Sequence, residues 1–534
     1  MNFNKKLAVA VSGAVLLMAG QVAFADSATD IVDALVSKGV LTEEEGKLIT
    51  KGHTSKTAVT PVVKEKDGAF TLSSPNGKNS IQLTGRLHFD YRHSDIDSYG
   101  AAGADNFGTQ YDRDSASTAD HFLIRRARIG VKGRLGGIAD YEVVGNLPGT
   151  ATLDVAYLDF NKYEPLSFRF GKFKQPYNLE EQTSSNNIDF IERSYINQNA
   201  PGKKLGAMLH GQRTGVTYAG SMFQMNDNAT SNNDKDLSFA GRGTINFSEL
   251  VGNKDMVMHV GVSGFDADYE VAPTLSNNTG DALVSSESRA TVFGFRSAGG
   301  GLNNLYRAQI AGATVGTGTG HSYGDASPTT STVKARALGL EAIAAYNNFK
   351  IQGEYSRADY KANANGRTVD PVESIRADVD TAYIEALWIV TGEKYSASYK
   401  KGAFGSIKPN SEFNFDTGGY GAWELGVRYD MFNVTDTNHT GGGVSRFQGT
   451  VNGGSALDKE QTCKVTNGTC DANGGAHTTT VGIKWVMNPN MLFKANWSHT
   501  SFDNKFRPID LNNNETMKTI NSEDLIMIRG QYMF

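Results

Sequence analysis

The chain has 534 residues, 39% of them hydrophobic, with a mean hydropathy of -0.38 and a formal charge of -5. Those values exclude a protein of several membrane-spanning helices, and the mildly acidic balance carries no basic footprint for nucleic acid. Gly (59), Phe (27) and Tyr (21) are plentiful while Pro (12) and Cys (2) are few. That balance suits twisted strands and interfacial aromatic girdles, although a soluble β-sandwich array could share it.

Lys5 and Lys6, the apolar run Leu7 to Ala19 and the Ala23-Phe24-Ala25 site read as a signal peptide over residues 1–25. The apolar run is too short for a spanning helix, which needs about 20 apolar residues. Cleavage removes two lysines and no acid, so the formal charge of -5 becomes -7. Residues 26–68 form a short helical segment and linker, expected on the periplasmic side. Ile31, Leu35 and Val36 share one helical face, Gly39 is placed for a C-cap, and Thr42 with Glu45 forms a capping box opening a second helix through Ile49. Such a unit is too small to fold alone, and packing against its own copies or the barrel rim is expected.

Residues 69–534 read as an all-β, transmembrane antiparallel β-barrel. Alternation predicts strands near 80–92, 120–135, 138–147, 151–161 and 166–174, then 204–223, 236–247, 255–269, 333–346 and 348–361. Six more fall near 378–391, 393–405, 419–432, 477–488, 490–502 and 522–534. The 280–312 stretch is ambiguous and could add strands. Bacterial barrels have even strand numbers, which gives sixteen strands, with eighteen as the alternative. Short turns at Gly136-Gly137, Asn347-Asn348, Thr391-Gly392 and Asn488-Pro489-Asn490 belong at the periplasmic end. The long polar segments 93–119, 175–203, 313–332, 361–377, 406–418 and 433–476 belong outside.

The alternation has a definite phase. Leu123, Ala127, Ile129, Val131 and Leu135 are assigned to lipid, and Arg126, Arg128, Lys132 and Arg134 to the lumen. Leu87, Phe89 and Tyr91 alternate with Arg86, His88, Asp90 and Arg92; Leu425, Val427 and Tyr429 with Glu424, Arg428 and Asp430; Phe493 and Trp497 with Lys494 and Asn496. The chain ends on Ile526, Ile528, Gly530, Tyr532 and Phe534, alternating with Met527, Arg529 and Gln531, the form in which outer-membrane barrels terminate. A lipid-facing Arg or Lys near the bilayer midplane costs about 2–4 kcal/mol, so the polar faces must line water.

Several of these segments resemble the phosphate-selective porin O and P family of outer-membrane channels. They are Gly85-Arg86-Leu87-His88-Phe89-Asp90, Arg125-Arg126-Ala127-Arg128-Ile129-Gly130, the run Leu166 to Arg193, the Trp485 to Ser501 hairpin and the last strand. Their order along residues 80 to 534, rather than any one motif, carries the resemblance; 270–330 and 433–476 match nothing in it. It implies a sixteen-stranded homotrimeric barrel whose third external loop folds inward and narrows the pore. That loop falls at 175–203, with Glu180, Glu181, Asp189, Glu192 and Arg193 as its constriction residues. The resemblance also implies an arginine ladder, for which Arg126 and Arg128 are counterparts. It further implies a lysine cluster, for which Lys172, Lys174, Lys203, Lys204, Lys334, Lys394, Lys400 and Lys401 are all candidates.

The expected pore-lining, anion-binding set is Arg86, Arg126, Arg128, Lys132, Arg134, Lys172 and Lys174. Arginine offers a planar fork of donors that fits oxyanions and stays charged at working pH. Lumen cations about 6.6–6.8 Å apart along a strand let an anion pass without full rehydration. The expected function is passive diffusion of small anions, phosphate among the candidates, through the outer membrane. The competing readings are a general or cation-preferring porin, in which these cations only neutralise facing carboxylates, and an outer-membrane barrel enzyme. Gly320-His321-Ser322-Tyr323-Gly324 fits the nucleophile-elbow pattern, but loop sequence flanks it on both sides, so no catalytic residue is assigned. Cys463 and Cys470 point to a small disulfide loop in an exported chain, with half a metal site or two free thiols as alternatives. No cofactor or metal is expected.

Overall fold

The computed structural model describes residues 27–57, 60–66, 68–99, 120–225, 237–271, 289–297, 305–311, 331–364, 374–440, 446–448, 472–506 and 519–534. The expected signal peptide, Ser322 and the Cys463–Cys470 pair lie outside them. The chain divides into two compact units, one running to Thr84 and including Val131–Tyr141, the other comprising Gly85–Gly130 and Glu142–Phe534.

In the first unit, α1 (Ser27–Ser37) and α2 (Glu43–Thr57) form a helical hairpin. Gly39, at φ 71, takes the left-handed conformation that lets Val40 N donate back to Leu35 O. Thr42 N donates to Glu45 Oε2 at 2.9 Å and Glu45 N to Thr42 Oγ1 at 3.2 Å, the reciprocal capping box. The hairpin β1 (Val62–Lys66) and β2 (Ala69–Ser73) follows, and β2 pairs with the first residues of the next strand.

That strand, β3 (Ser80–Tyr99), is the first of the sixteen in the barrel. The others are β4 (His121–Leu135), β5 (Ala139–Asn146), β6 (Thr152–Phe160), β7 (Ser167–Lys174), β8 (Lys203–Arg213), β9 (Val216–Phe223), β10 (Ser238–Asn246) and β11 (Met256–Val271). They continue with β14 (Ser331–Tyr346), β15 (Phe349–Ala364), β16 (Ser374–Ile389), β19 (Ala422–Thr440), β21 (Gly474–Asn488), β22 (Met491–Phe506) and β23 (Thr519–Met533). Consecutive strands are antiparallel neighbours, and β23 pairs with β3 from Met533↔Arg86 to Thr519↔Tyr99, which closes the barrel. The terminal residue completes the seam: Gly85 N donates to Phe534 O at 2.9 Å and Phe534 N to Gly85 O at 3.2 Å. A side chain at 85 would meet the Phe534 ring at 2.4 Å, so the seam requires glycine there.

Sixteen strands are expected and sixteen are present, but two of the expected segments differ. The 204–223 segment is two strands, β8 and β9, joined by a two-residue turn in which Gly215 has φ 69. The 393–405 segment is not a barrel strand. It holds a short 3-10 turn (Tyr395–Ser398) and a two-residue hairpin of β17 (Tyr399–Lys400) and β18 (Ala403–Phe404), reversed at Lys401 (φ 53) and Gly402 (φ 76). The whole connection 390–421 therefore leaves and re-enters the barrel at the end of the short turns, so 406–418 is not an external loop. The ambiguous 280–312 stretch does form strands, β12 (Arg289–Phe295) and β13 (Tyr306–Ala311). They pair with each other and with β20 (Arg446–Gln448) in a separate small sheet.

Leu83, Leu87 and Phe89 on β3, Leu425, Val427 and Tyr429 on β19, and Ile526, Ile528 and Tyr532 on β23 are exposed, while His88, Asp90, Glu424, Arg428, Asp430 and Arg529 are buried. The phase on these strands is as expected. On β4 it is not. Phe122 and Ile124 are the exposed pair, and Phe122 stacks on Phe89 at 5.7 Å between ring centres, so Leu123 is not on the lipid face. The alternation shifts at Arg125-Arg126, and both arginines line the same interior cavity. Near the turn end, Trp423 and Trp485 stack at 5.1 Å and both donate to Tyr420 O, an aromatic girdle at that interface.

The interior is not empty. Phe295 of β12 stacks on Phe432 of β19 at 4.1 Å, and Phe293 lies 4.6 Å from Tyr360 of β15. The small sheet is thus packed on aromatic side chains of the barrel wall. Replacing lipid-facing Val427, which is exposed on β19, with arginine is expected to lower stability by about 2–4 kcal/mol, measured by reversible urea unfolding in lipid vesicles.

Candidate functional site

Strand register places charges of five neighbouring strands in one row. Glu424 of β19 pairs with Lys484 of β21, Lys484 with Lys494 of β22, Lys494 with Arg529 of β23, and Arg529 with Asp90 of β3. All five side chains are buried. Lys484 Nζ lies 2.5 Å from Glu424 Oε1, and Arg529 grips Asp90 through both carboxylate oxygens at 2.6 and 2.7 Å. Lys494 stands between two cations.

The segment 175–202, between β7 and β8, is seated on this row. Lys494 donates to Ile188 O and Phe190 O, and Arg529 donates to Ile191 O at 2.5 Å. Asp189 takes Lys350 of β15 at 2.7 Å and Lys484 at 3.2 Å. Glu192 takes Arg92 of β3 and Arg125 of β4 at 2.7 Å each and Arg529 at 3.1 Å. Arg428 of β19 donates to Glu192 O and lies 3.6 Å from Glu180. The short helix α3 (Leu179–Gln182) opens at Asn178, whose Oδ1 accepts from Glu181 N, and Glu354 of β15 accepts from Leu179 N and Glu180 N at 2.7 and 2.8 Å. A carboxylate facing the first N–H groups of a helix satisfies donors that have no partner within it. Tyr195 Oη is bonded to Thr478 of β21 at 3.0 Å.

These contacts show where each expected residue stands. Arg86 donates to Ser185 Oγ of the segment at 2.8 Å, and Lys174 donates to Glu181 O and Thr183 O. Arg193 binds Glu180 O and Thr183 O at 2.7 Å each, with Glu181 4.0 Å away. Arg128 is held by Asp154 of β6 at 3.0 Å. Lys172 lies opposite Ala156 and Leu205 on the neighbouring strands. Lys132 is exposed, and Arg134 faces Asp140 at 3.4 Å in the β4–β5 hairpin of the first unit. The acids of the segment therefore meet Arg92, Arg125, Arg428, Arg529, Lys350 and Lys484. None of the eight candidate lysines belongs to the group formed by Lys350, Lys484 and Lys494. All three lie on strands that the alternation located, and Lys494 on a face it phased; only the register shows that they converge.

Burial would raise the carboxyls of Asp189 and Glu192, but Lys350 and Lys484 in the first case, and Arg125, Arg92 and Arg529 in the second, outweigh it and hold both below the usual carboxylate range. Burial of Glu180 prevails over Arg428 and Arg193 and pushes its carboxyl up.

Above the segment, a cavity of about 530 Å³ is lined by Arg125, Arg126, Arg193, Arg296 and Arg307, with Glu192 the single carboxylate. Toward the turn end, the 390–421 connection meets the segment where Ser406 donates to Asn187 Oδ1 at 2.9 Å, and a second cavity there measures only about 20 Å³. Lys350 Nζ sits 4.3 Å from the Phe404 ring centre, which adds a cation–π contact to that junction.

A closed sixteen-stranded barrel, apolar outside and charged within, defines an outer-membrane porin of bacteria. The family model of the phosphate-selective porins O and P matches residues 82–289 and 317–534, and the chain belongs to that family. It is 27% identical over 455 residues to Porin O of Pseudomonas aeruginosa, covering 78% of this chain and 91% of that protein. Among solved structures it is similar to a loop L8 deletion mutant of OmpT of Vibrio cholerae, at a TM-score of 0.45 and 9% identity over 86% of this chain and 100% of that one. It is also similar to the anion-selective porin from Comamonas acidovorans, at a TM-score of 0.41 and 10% identity over 85% of this chain and 100% of that one.

Asp189→Ala leaves Lys350 and Lys484 buried without their shared partner, and is expected to cost about 3–5 kcal/mol in urea unfolding. It is also expected to raise single-channel conductance by loosening the segment. A carboxyl held below its ordinary pKa contributes stability that is complete above that value and is lost only as pH falls through the lowered one. For Asp189 and Glu192, single-channel conductance is therefore expected to stay flat as pH falls to about 4.5 and to rise only below it.

Proposed function

We propose that the protein is a passive, anion-preferring channel in which segment 175–203 is the constriction. The observation that supports this reading is the 530 Å³ cavity over the segment, where five arginines face one glutamate. Deeper in the lumen, Asp189 meets Lys350 and Lys484, and Glu424 also meets Lys484. At the cavity, Glu192 is shared by Arg92, Arg125 and Arg529, so arginines outnumber carboxylates around it. A low-dielectric wall focuses such a field and raises the local concentration of the opposite ion.

Phosphate is a fitting solute because guanidinium forks bind oxyanions in two-point fashion, and sites in series must hold an ion weakly enough to release it. Movement is down the gradient. Transport rather than catalysis is the proposed activity. We place residues 1–25 as a cleaved signal, the α1–α2 hairpin in the periplasm, and the working form as a homotrimer in the outer membrane.

The test is the reversal potential of the purified protein in a planar bilayer under a potassium chloride gradient, followed by addition of phosphate. Anion preference with block of the chloride current by phosphate is expected. Preference for potassium would overturn the reading and would mean that the acids of the segment dominate the field.

A further inference from the structure

Strand register sets three cations side by side on the outer face of the barrel. Lys334 of β14 is directly opposite Lys361 of β15, and Lys361 is directly opposite Arg376 of β16. They share the face of Leu338, Leu340, Tyr355 and Ile384, which are exposed, while Glu341, Glu354 and Glu385 of the same strands are buried inside. Each of the three cations is about half exposed.

Like charges directly opposite on a sheet repel and destabilise the pairing. A rim that needed only to stay soluble would alternate its signs, and the next row toward the membrane does. There Arg336 stands between Asp266 of β11 and Asp359 of β15 and lies 3.1 Å from Asp266. One row further, Arg357 holds Asp378 at 2.6 Å. In the cation row, Lys334 meets Asp268 of β11 at 2.8 Å, and Lys361 and Arg376 share Asp359 at 3.3 and 3.7 Å. Those carboxylates lie at one end of the row and one row below it. Beyond the row, Thr332, Asn363 and Ser374 of the same three strands carry no charge. An anion that answers the row from that side must come from outside the wall.

The height of the row says where such an anion is found. Phe349, beside the short turn Asn347-Asn348, stacks on Trp388 at 5.8 Å and marks the aromatic girdle at the turn end. From Phe349 to Lys361 the strand is about 40 Å long, and at a tilt of about 40° it climbs about 30 Å, against an apolar band about 25 Å tall. The row therefore stands just past that band, level with the head groups of the leaflet at the long-loop end. Strands lie about 4.8 Å apart, so the three cations span about 10 Å, enough for a head group with two phosphates.

We propose that the outer face of β14–β16 at the long-loop end is a docking surface for the phosphorylated head group of an outer-leaflet lipid. Lys334, Lys361 and Arg376 take the phosphates, and the acyl chains lie over Leu338, Leu340 and Ile384. Charge-assisted bonds to phosphate suit both residue types in the row. The assignment is independent of which ion the pore prefers.

The experiment is titration of the full-length protein in detergent with bisphosphorylated lipid A and, separately, with phosphatidylethanolamine, the bound lipid being counted by native mass spectrometry. Lipid A is expected to half-saturate at a concentration about tenfold below phosphatidylethanolamine, and the combined variant Lys334→Gln, Lys361→Gln, Arg376→Gln to weaken lipid A about tenfold, as bonds to a charged group are lost. Lys361→Gln alone, at the centre of the row, is expected to weaken it about threefold and covers a combined variant that does not fold. Lys394→Gln, at the turn end where Lys394 meets Asp255 at 2.7 Å, is expected to change nothing. Single-channel conductance is expected to be unchanged in every variant. Equal affinity for the two lipids, lipid A binding unchanged by the row substitutions, or an equal loss in Lys394→Gln would overturn the proposal. So would dissociation of the oligomer in the row variants, which would assign the face to contact between copies of the chain.

Discussion

Lipid offers the peptide backbone no hydrogen-bond partner, and everything else in this protein follows from that. A chain with polar residues at every second position can cross a bilayer only if each strand satisfies its neighbours and the last strand satisfies the first. Here the closing seam is the pairing of β23 with β3, completed by the bonds between Gly85 and Phe534. Once the sheet is closed, side-chain parity becomes obligatory. Leu425, Val427 and Tyr429 face lipid, so Glu424, Arg428 and Asp430 must share an enclosed space with the inward groups of fifteen other strands.

That enclosure makes the charges interdependent. Lys494 has Lys484 on one side and Arg529 on the other, an arrangement that costs energy unless acceptors are brought to it. Segment 175–202 brings them as the carbonyls of Ile188, Phe190 and Ile191 and the carboxylates of Asp189 and Glu192. The segment in turn carries acids that would be costly to bury without cations. Wall and segment therefore specify one another, and removing either member of a pair exposes the desolvation cost of the other.

Period-two sequence patterns show faces, and the faces of β3, β19, β22 and β23 were legible. They do not show register or irregularity. The 204–223 stretch keeps its parity through a two-residue turn, so only Gly215 marks two strands there. The 393–405 stretch alternates well enough until Lys401 and Gly402 reverse it. Leu123 was assigned outward because the basic run that follows reads as one uninterrupted face, whereas the shift at Arg125-Arg126 turns both arginines inward. The same limit explains the site. Acids in 175–203 were visible as acids. Their partners lie about 70 to 340 residues away along the chain, on strands whose adjacency exists only after closure, so Lys350, Lys484 and Arg529 could not be tied to them by spacing.

Net charge is a poor guide to what such a pore admits. The mature chain's expected charge of -7 counts the outward-facing pairs, such as Arg357 with Asp378 and Arg336 with Asp266, and the helical hairpin as fully as the lumen. An ion within the barrel feels mainly the charges within about 8–10 Å, since salt screens those further off in solution. Along the row, Glu424 meets Lys484 and Asp90 meets Arg529 at contact distance, and a paired cation presents a dipole rather than a charge. Over the segment, five arginines line a cavity that holds one carboxylate. An acidic protein can in this way hold a cavity rich in arginine, because an ion responds to the charges along its path and not to the sum over the chain.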